Sequence, residues 1–205
     1  DELFAQVVRL QSQLLVRQKK WGQAADVYEV LFDRRFDESI REISYFESAN
    51  ILFRGGESIS AINCLERLLK DPELRKSYHI AHCILGEAKI STGYEGANAA
   101  LGHFKKALEG PVVEGVEARA LWGLGRCYHL LDDPVKSEEF YFKSVKKVDS
   151  DYLRARILYD DAYSKIQANR WLEAGKGFEA VVAMSGVKDS TLLRDQALFM
   201  QIKSM

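Results

Sequence analysis

The sequence predicts an all-α protein, an α-solenoid in which antiparallel helix pairs stack side by side. Three observations predict it. Small residues recur about every 37 residues, the three prolines each lie beside Asp or Gly in connector-like stretches, and short turn signals alternate with longer connectors. Proline-free runs between such breaks favour long helices. Helix pairs joined alternately by short and longer loops bury a face that each neighbour completes.

Linked positions on two helices carry the repeat. The first helix of each unit has a small residue, separated by 37, 37, 39 and 37 residues: Ser12, Ala49, Gly86, Gly125 and Ala162. The second helix has its own: Ala24, Ala61, Ala100, Ser137 and Ala174. Large apolar residues follow four positions later: Tyr28, Leu65, Phe104, Tyr141 and Phe178. Leu31, Leu68, Ala107, Ser144 and Val181 come three positions further on. The spacing i, i+4, i+7 places one stripe on the second helix.

Turn and connector signals divide the chain. The short turns are RGG, TGYEG, LDDP and ANR, and the connectors are FDES, KDPEL, EGPVVEG, DSD and GVKDST. They predict one solenoid domain over 1–205, with repeats at 5–41, 42–78, 79–117, 118–154 and 155–191 and a terminal or capping helix at 192–205. The longer third repeat predicts a two-residue insertion within STGYEGAN (91–98), absorbed by a glycine-rich turn.

Two glycines interrupt the helical stretch ALWGLGRCYHLL. Each costs an isolated helix about 1 kcal/mol relative to alanine. Gly125 falls on the repeat position, so we expect small residues of paired helices to contact each other and let the backbones approach. Gly123 falls outside the pattern, and we expect it to make room for Trp122.

These positions resemble the tetratricopeptide repeat. Repeat four carries Leu121, Leu124, Gly125 and Tyr128, then Ser137, Tyr141 and Ser144. Repeat three carries Leu85, Gly86, Ala100, Phe104 and Ala107 with the closing Pro111, and repeat five carries Leu158, Ala162, Trp171, Ala174 and Phe178. The resemblance covers about residues 5–187 and implies a right-handed superhelix, although the usual period is about 34. HEAT or armadillo repeats are the alternative, disfavoured by the order of the small residues.

Composition narrows the function classes. A net charge of −1 gives no reason to expect nucleic acid or an anionic membrane as partner, and no apolar run reaches the 18 or so residues of a membrane span. Three cysteines, an odd number, are expected to be free packed thiols, which favours the cytoplasm. The opening DELFAQ has no leader pattern and equally fits a processed protein of the bacterial periplasm or envelope, or a fragment.

No candidate catalytic or metal site emerges. HIAHC places His79, His82 and Cys83 on one helix face, but Cys127 and His129, the remaining zinc-type ligands, lie on another helix. No phosphate-binding GxxxxGK[ST] motif occurs. The sequence therefore predicts no enzyme and no cofactor.

The resemblance implies that the first helices line a concave groove. Residues flanking the small positions then face it: Arg9, Phe46, Asn50, Phe53, Arg119, Trp122, Arg126, Arg156, Tyr159 and Tyr163. Aromatic and arginine side chains dominate binding hot spots, so an acidic and apolar protein segment would suit this groove. The alternative is that Phe46, Trp122 and Tyr159 only pack between helices. The family's clamp for a C-terminal carboxylate needs Lys and Asn, and only Asn50 fits, which disfavours chaperone tails.

The predicted function is a scaffold for protein–protein interaction, binding a peptide or protein segment in the groove during complex assembly. One alternative is a docking or regulatory module of a larger enzyme. Another is a solenoid that self-associates through Phe199 and Met200 on the terminal helix, for which Asp189, Ser190 and Thr191 resemble a cap.

Overall fold

The computed structural model describes residues 1–90, 93–109, 115–184 and 191–204. Over these residues the chain contains α-helices, two 3-10 turns and no strand, which confirms the predicted all-α class. Parts of three sequence predictions lie outside the described residues: Ser91 and Thr92 of the insertion, the closing Pro111, and the cap residues Asp189 and Ser190.

The helices alternate between first and second members of a pair. The first helices are α1 (Glu2–Arg17), α3 (Glu38–Arg54), α5 (Tyr78–Ile90), α7 (Val116–Leu130) and α9 (Asp151–Gln167). The second helices are α2 (Trp21–Asp26), α4 (Ser58–Lys70), α6 (Tyr94–Ala107), α8 (Pro134–Val145) and α10 (Trp171–Ala183), and α11 (Thr191–Lys203) ends the series. The 3-10 turns are Glu29–Phe32, after α2, and Pro72–Ser77, after α4.

The helices form two compact units, Asp1–Ala81 and His82–Met205. In the N-terminal unit, α1 packs on α2, α2 on α3, and α3 on α4. Helix α2, the second helix of the first pair, ends at Asp26. The rest of the stretch that the sequence predicted as one helix continues as the 3-10 turn Glu29–Phe32. Two β-branched residues, Val27 and Val30, lower the helix propensity there.

A buried arginine fixes the end of the N-terminal unit. The Arg41 side chain, on α3, is only 1% exposed and forms ion pairs with Asp71 and Glu73 at the connector after α4. An arginine can be buried when its guanidinium is paired in this way. These contacts hold the turn Pro72–Ser77 against the start of α3.

The C-terminal unit continues the same alternation. Helix α6 packs on α7, α7 on α8, α8 on α9, α9 on α10, and α10 on α11. One apolar core lies among the last three helices and is built on Ala155, Ala162, Phe178, Val181 and Leu193. Because each helix contacts its sequence neighbours, the contacts are local, as the stacked-pair prediction requires.

The small repeat positions are buried throughout. Ser12, Ala49, Gly86, Gly125 and Ala162 all lie inside, as do their second-helix counterparts. The Ser12 hydroxyl donates a hydrogen bond to the Ala24 carbonyl at 2.7 Å, and the Ser137 hydroxyl donates one to the Gly125 carbonyl at 3.0 Å. Small residues therefore meet in these two pairs, as expected. At Gly125 the close neighbour is an aromatic ring, since a Cβ there would lie 2.6 Å from Tyr141 Cδ1.

Gly123 makes room for a residue of the preceding repeat. A Cβ at this position would lie 2.2 Å from Phe104 Cζ, and one at Gly86 would lie 2.7 Å from the same atom. The fully buried Phe104 ring is thus held between a glycine of α5 and a glycine of α7. The expectation that Gly123 accommodates Trp122 was wrong, because the close neighbour is Phe104.

The turn between the two helices of each pair contains a residue with positive φ, and this residue lies at the same position in every repeat. These residues are Lys19, Gly56, Gly93, Asp132 and Asn169. The left-handed region is favourable for glycine and tolerable for Asn and Asp, whereas Lys19 adopts it at a cost. A left-handed residue between first and second helix is therefore part of the repeat.

The third repeat absorbs its extra residues in a helix rather than a turn. Helix α6 begins at Tyr94, six residues before Ala100, whereas α8 begins at Pro134, three residues before Ser137. The prediction of a glycine-rich loop was wrong from Tyr94 onward, because the residues from Tyr94 extend the N-terminal end of helix α6 by about one helical turn. Among the described residues, no helix has the length and apolar character needed to cross a membrane.

Candidate functional site

Side chains of α7 and α9 form a polar and aromatic cluster in the C-terminal unit. Trp122, Arg126 and His129 lie at i, i+4 and i+7 on α7, so they share one helix face. Asp160 and Tyr163 lie three residues apart on α9. Because α7 and α9 contact each other, these two rows meet.

Asp160 connects the two helices. Its Oδ2 accepts a hydrogen bond from Trp122 Nε1 at 2.8 Å and lies 3.8 Å from Arg126 Nε. The Arg126 guanidinium also lies over the Trp122 ring, 5.4 Å from its centroid. Trp122 packs against a small core that includes Tyr141 and Ile157. The cluster is therefore anchored at Trp122, with Arg126 at its more exposed edge.

A cavity of about 180 Å³ opens beside this cluster. It is lined by Ile90, Arg126, His129, Leu130, Tyr141, Asp160 and Tyr163. The His129 and Tyr163 rings meet edge to face, with centroids 6.0 Å apart, and Tyr163 is 41% exposed. The cavity thus combines apolar walls with a guanidinium, an imidazole, a carboxyl and two phenols, and has room for one side chain.

Burial changes the protonation equilibria of the cavity. It raises the pKa of Asp160, while the Arg126 charge and the Trp122 hydrogen bond act in the opposite direction. Burial lowers the pKa of His129, so the imidazole is mainly neutral at pH 7. Arg126 therefore carries the positive charge at the rim of the cavity. The nearest carboxyl group, that of Asp160, already accepts a hydrogen bond from Trp122.

The other predicted residues of this unit have partners of their own. Arg119 binds Glu87 through two hydrogen bonds, from Nε at 3.1 Å and from Nη2 at 2.8 Å. The Tyr159 ring meets Phe178 edge to face at 5.3 Å and packs on the core of the last three helices. Arg156 is half-buried and acts through its charge on Asp160. Trp122, Arg126 and Tyr163 are the predicted residues that share the cluster around Asp160.

The remaining predicted residues belong to the N-terminal unit. Arg9 is exposed on α1 and lines two cavities between α1 and α3, of about 340 and 270 Å³. Phe46 and Phe53 on α3 are half-buried, and Asn50 is exposed. Arg9 is therefore the predicted residue of this unit that borders open space between first helices.

Asp160 was not among the predicted groove residues, which lie three before, one after and four after the small positions, with Arg119 and Arg156 six before. The sequence carries only a partial signal: Asp160 precedes Tyr163 by three residues and shares its helix face, but its partner Trp122 lies on another helix.

The histidines and cysteines are candidates for metal ligands and nucleophiles. Within the described ranges, no group of three or more His, Cys, Asp or Glu side chains is placed to hold a metal ion. Cys64, Cys83 and Cys127 are free and buried. Burial raises the pKa of both Cys83 and Cys127 to about 12, so these thiols are poor nucleophiles at pH 7.

Comparison with known proteins adds information on the fold. No family model matches the sequence, and no curated protein matches it. Among solved structures, residues 41 to the end of MamA from Desulfovibrio magneticus RS-1 are similar with a TM-score of 0.67 at 18% identity, covering 90% of this chain and 97% of that one. The MamA RS-1 ArsTM double mutant has a TM-score of 0.66 at 18% identity, covering 91% and 97%.

A third structure bears the name of the repeat. A thermophilic TPR protein of Thermus thermophilus is similar with a TM-score of 0.66 at 17% identity, covering 97% of this chain and 99% of that one. At such identities the likeness concerns the fold. Together with the buried small positions and the alternating helix pairs, it shows that the chain is a repeat protein with the tetratricopeptide-type fold.

Proposed function

We propose that the chain is a non-enzymatic scaffold that binds a protein segment on the face formed by α7 and α9. The observation that carries the proposal is the cavity of about 180 Å³ bordered by Arg126, His129 and Tyr163. Its apolar lining, with Ile90 and Leu130, suits an aliphatic or aromatic side chain. The occupant is a segment with an apolar residue next to a carboxylate.

The charge of the occupant follows from Arg126. Its side chain is 36% exposed, and its Nε lies 3.8 Å from Asp160, longer than a hydrogen bond. The guanidinium therefore keeps donors for an incoming carboxylate, and a charged pair of this kind forms short and strong hydrogen bonds. Tyr163 lines the cavity and is 41% exposed, and it supplies an aromatic side chain of the kind found in binding hot spots.

Selection from a displayed library of random peptides, each about a dozen residues long, tests this proposal. We expect the selected peptides to carry Asp or Glu near an apolar residue. Affinity of one such peptide for the Arg126→Glu variant should fall at least about tenfold, equivalent to about 1.4 kcal/mol. Arg126→Gln should give a smaller loss, because it removes the charge without reversing it.

Arg194→Glu is the matched control, since Arg194 is an exposed arginine on α11. It makes the same change of charge away from the cavity, and affinity should stay near that of the wild type. Circular dichroism of each variant would establish that the helices are intact. If Arg126→Glu and Arg194→Glu bind the selected peptides equally well, the face of α7 and α9 is not the binding surface.

A further inference from the structure

An apolar stripe lies exposed along α1. Leu3, Val7, Leu10 and Leu14 are 75%, 53%, 62% and 58% exposed. The opposite side of the same helix is the one that packs, with Val8 and Ser12 buried. Large contiguous patches of exposed apolar side chains are rare on monomeric proteins and mark interaction surfaces.

The repeat register shows how unusual the stripe is. The matching positions on α7 are Val116, Ala120, Gly123 and Cys127, and all four are buried. In the segments of α3, α5 and α9, none of the residues at the matching positions is exposed. On α7 this face receives the preceding second helix, since Gly123 lies against the Phe104 ring of α6. The α1 stripe is therefore a helix-receiving face that none of the described residues covers.

The size of its side chains limits which helix fits. Even one Cβ at Gly123 would lie 2.2 Å from Phe104 Cζ, and α1 carries Leu10 at the matching position. A helix that approached α1 as closely as α6 approaches α7 would clash with that leucine. The stripe instead requires a helix at the wider separation of leucine packed against leucine.

The spacing of the stripe is that of a coiled coil. Steps of four, three and four residues place Val7 and Leu14 at a positions and Leu3 and Leu10 at d positions. A β-branched residue at a with leucine at d, as at Val7 and Leu10, favours two parallel strands, while the second a position holds leucine. The pattern covers two heptads, and α1 is already folded on α2, so the usual cost of helix nucleation is not added to pairing.

The flanks of the stripe carry no charge. The e and g positions hold Phe4, Gln6, Gln11 and Gln13. Charged residues at these positions usually set partner choice, and like charges would repel an identical helix. A second copy of the same helix meets no such repulsion at these positions; beyond the two heptads, Arg17 takes the next d position at the end of α1. Its own stripe offers leucines at the matching spacing.

We propose that α1 pairs in parallel with α1 of a second copy of this chain. The contact is isologous, so each stripe residue meets its own counterpart. Four side chains from each copy bury less than the roughly 1,200–2,000 Å² of a standard interface. An interface of this size is typical of weak, reversible association.

Sedimentation equilibrium of the 205-residue protein between about 1 and 500 μM tests the pairing. We expect the weight-average mass to rise toward that of a dimer. Leu10→Glu should keep the protein monomeric over this range, because two carboxylates would oppose each other in the seam. Leu172→Glu is the control, since Leu172 is 73% exposed on α10 and should leave association unchanged. A monomeric wild type, or association unaffected by Leu10→Glu, would overturn the proposal.

A cysteine variant tests the orientation. Because the three native cysteines are buried, Leu3→Cys introduces a single accessible thiol. Parallel pairing predicts a disulfide-linked dimer under mild oxidation, and loss of that product when Leu10→Glu is added. Failure of Leu3→Cys to cross-link in a protein that dimerises would overturn the parallel arrangement.

A longer natural chain could place a different helix on the stripe, and thiol labelling distinguishes this case. The test uses a Leu10→Cys variant of that longer chain. If the variant is monomeric and its thiol is protected from a reagent, another part of the same chain covers the stripe. A monomer whose thiol reacts freely has an open stripe. Either result would overturn pairing between copies, whereas protection that increases with protein concentration would support it.

Discussion

Trp122 Nε1 donates a hydrogen bond to Asp160 Oδ2 at 2.8 Å, which ties the first helices of two successive repeats together. Asp160 occupies the repeat position that Gly123 occupies one repeat earlier. Where α7 has no side chain and receives the Phe104 ring, α9 presents a carboxylate to Trp122 and Arg126. The same register therefore serves packing in one repeat and a polar cluster in the next.

Trp122→Phe should destabilise the protein modestly. The substitution keeps an aromatic ring but removes the donor, which leaves Asp160 Oδ2 with Arg126 Nε at 3.8 Å as its remaining partner. Asp160 is half-buried, and loss of one hydrogen bond to a charged group typically lowers the free energy of unfolding by about 1.5–3 kcal/mol. Urea denaturation followed by circular dichroism measures the change. Trp171→Phe, at an exposed indole on α10, should have little effect, and equal losses for the two variants would contradict the role given to the hydrogen bond.

Asp160→Asn should change how stability depends on pH. Burial raises the pKa of Asp160, so the folded state favours the neutral carboxyl. Its contribution to stability is present in full below the unfolded pKa and is lost as pH rises through the folded pKa. We therefore expect the wild type to lose stability relative to Asp160→Asn as pH rises from about 3 to 7.

Urea midpoints measured across that pH range would show the trend. Asp195→Asn, at an exposed position on α11, is the control for a general loss of negative charge. A constant difference between wild type and Asp160→Asn at every pH would contradict the prediction.

Gly123→Ala should destabilise the protein although alanine favours helix. The new Cβ would lie 2.2 Å from the Phe104 ring, which is fully buried and also confined by Gly86. Overpacking of this kind costs about 1–3 kcal/mol, more than the gain of about 1 kcal/mol in helix propensity. Gly102→Ala, on exposed α6 surface with nothing near its Cβ, should stabilise the helix instead. Thermal unfolding should move in opposite directions for the two variants.

Periodicity recovered much of the fold because each repeat contact is short in sequence. Ser137 and Gly125 are 12 residues apart, and their hydrogen bond joins adjacent helices, so one period specifies both positions. The role of Gly123 could not be predicted in this way, because the Phe104 ring belongs to the preceding repeat. Asp160 was missed for a related reason. Its importance depends on a side chain of a different helix, Trp122, which a single helix face does not show.

Lys19→Gly should stabilise the N-terminal unit. Lys19 has a φ of 59°, at the same repeat position as Gly56 with a φ of 82°. A non-glycine residue in the left-handed region pays about 1–2 kcal/mol, part of which glycine recovers. Gln18→Gly is the control, because Gln18 has a φ of −84° and gains no relief. The urea midpoint should rise for Lys19→Gly and fall or stay constant for Gln18→Gly, and the reverse order would show that the turn is not strained.

Glu73→Gln should weaken the acid sensitivity of the N-terminal unit. The hydrogen bond from Arg41 holds the pKa of Glu73 below its usual value. The ionised carboxyl is therefore favoured in the folded state, and its contribution is present above the unfolded pKa and lost as pH falls through the folded pKa. The wild type should lose more stability than Glu73→Gln between about pH 5 and 3.

Urea midpoints at several pH values separate this effect from general acid denaturation. Glu66→Gln removes a carboxyl from α4 in the same unit and serves as the control. Since Arg41 is 1% exposed and also contacts Asp71, part of the acid response should survive in Glu73→Gln. Parallel acid limbs for wild type and Glu73→Gln would mean that the Arg41 contact does not favour ionised Glu73 in the folded state.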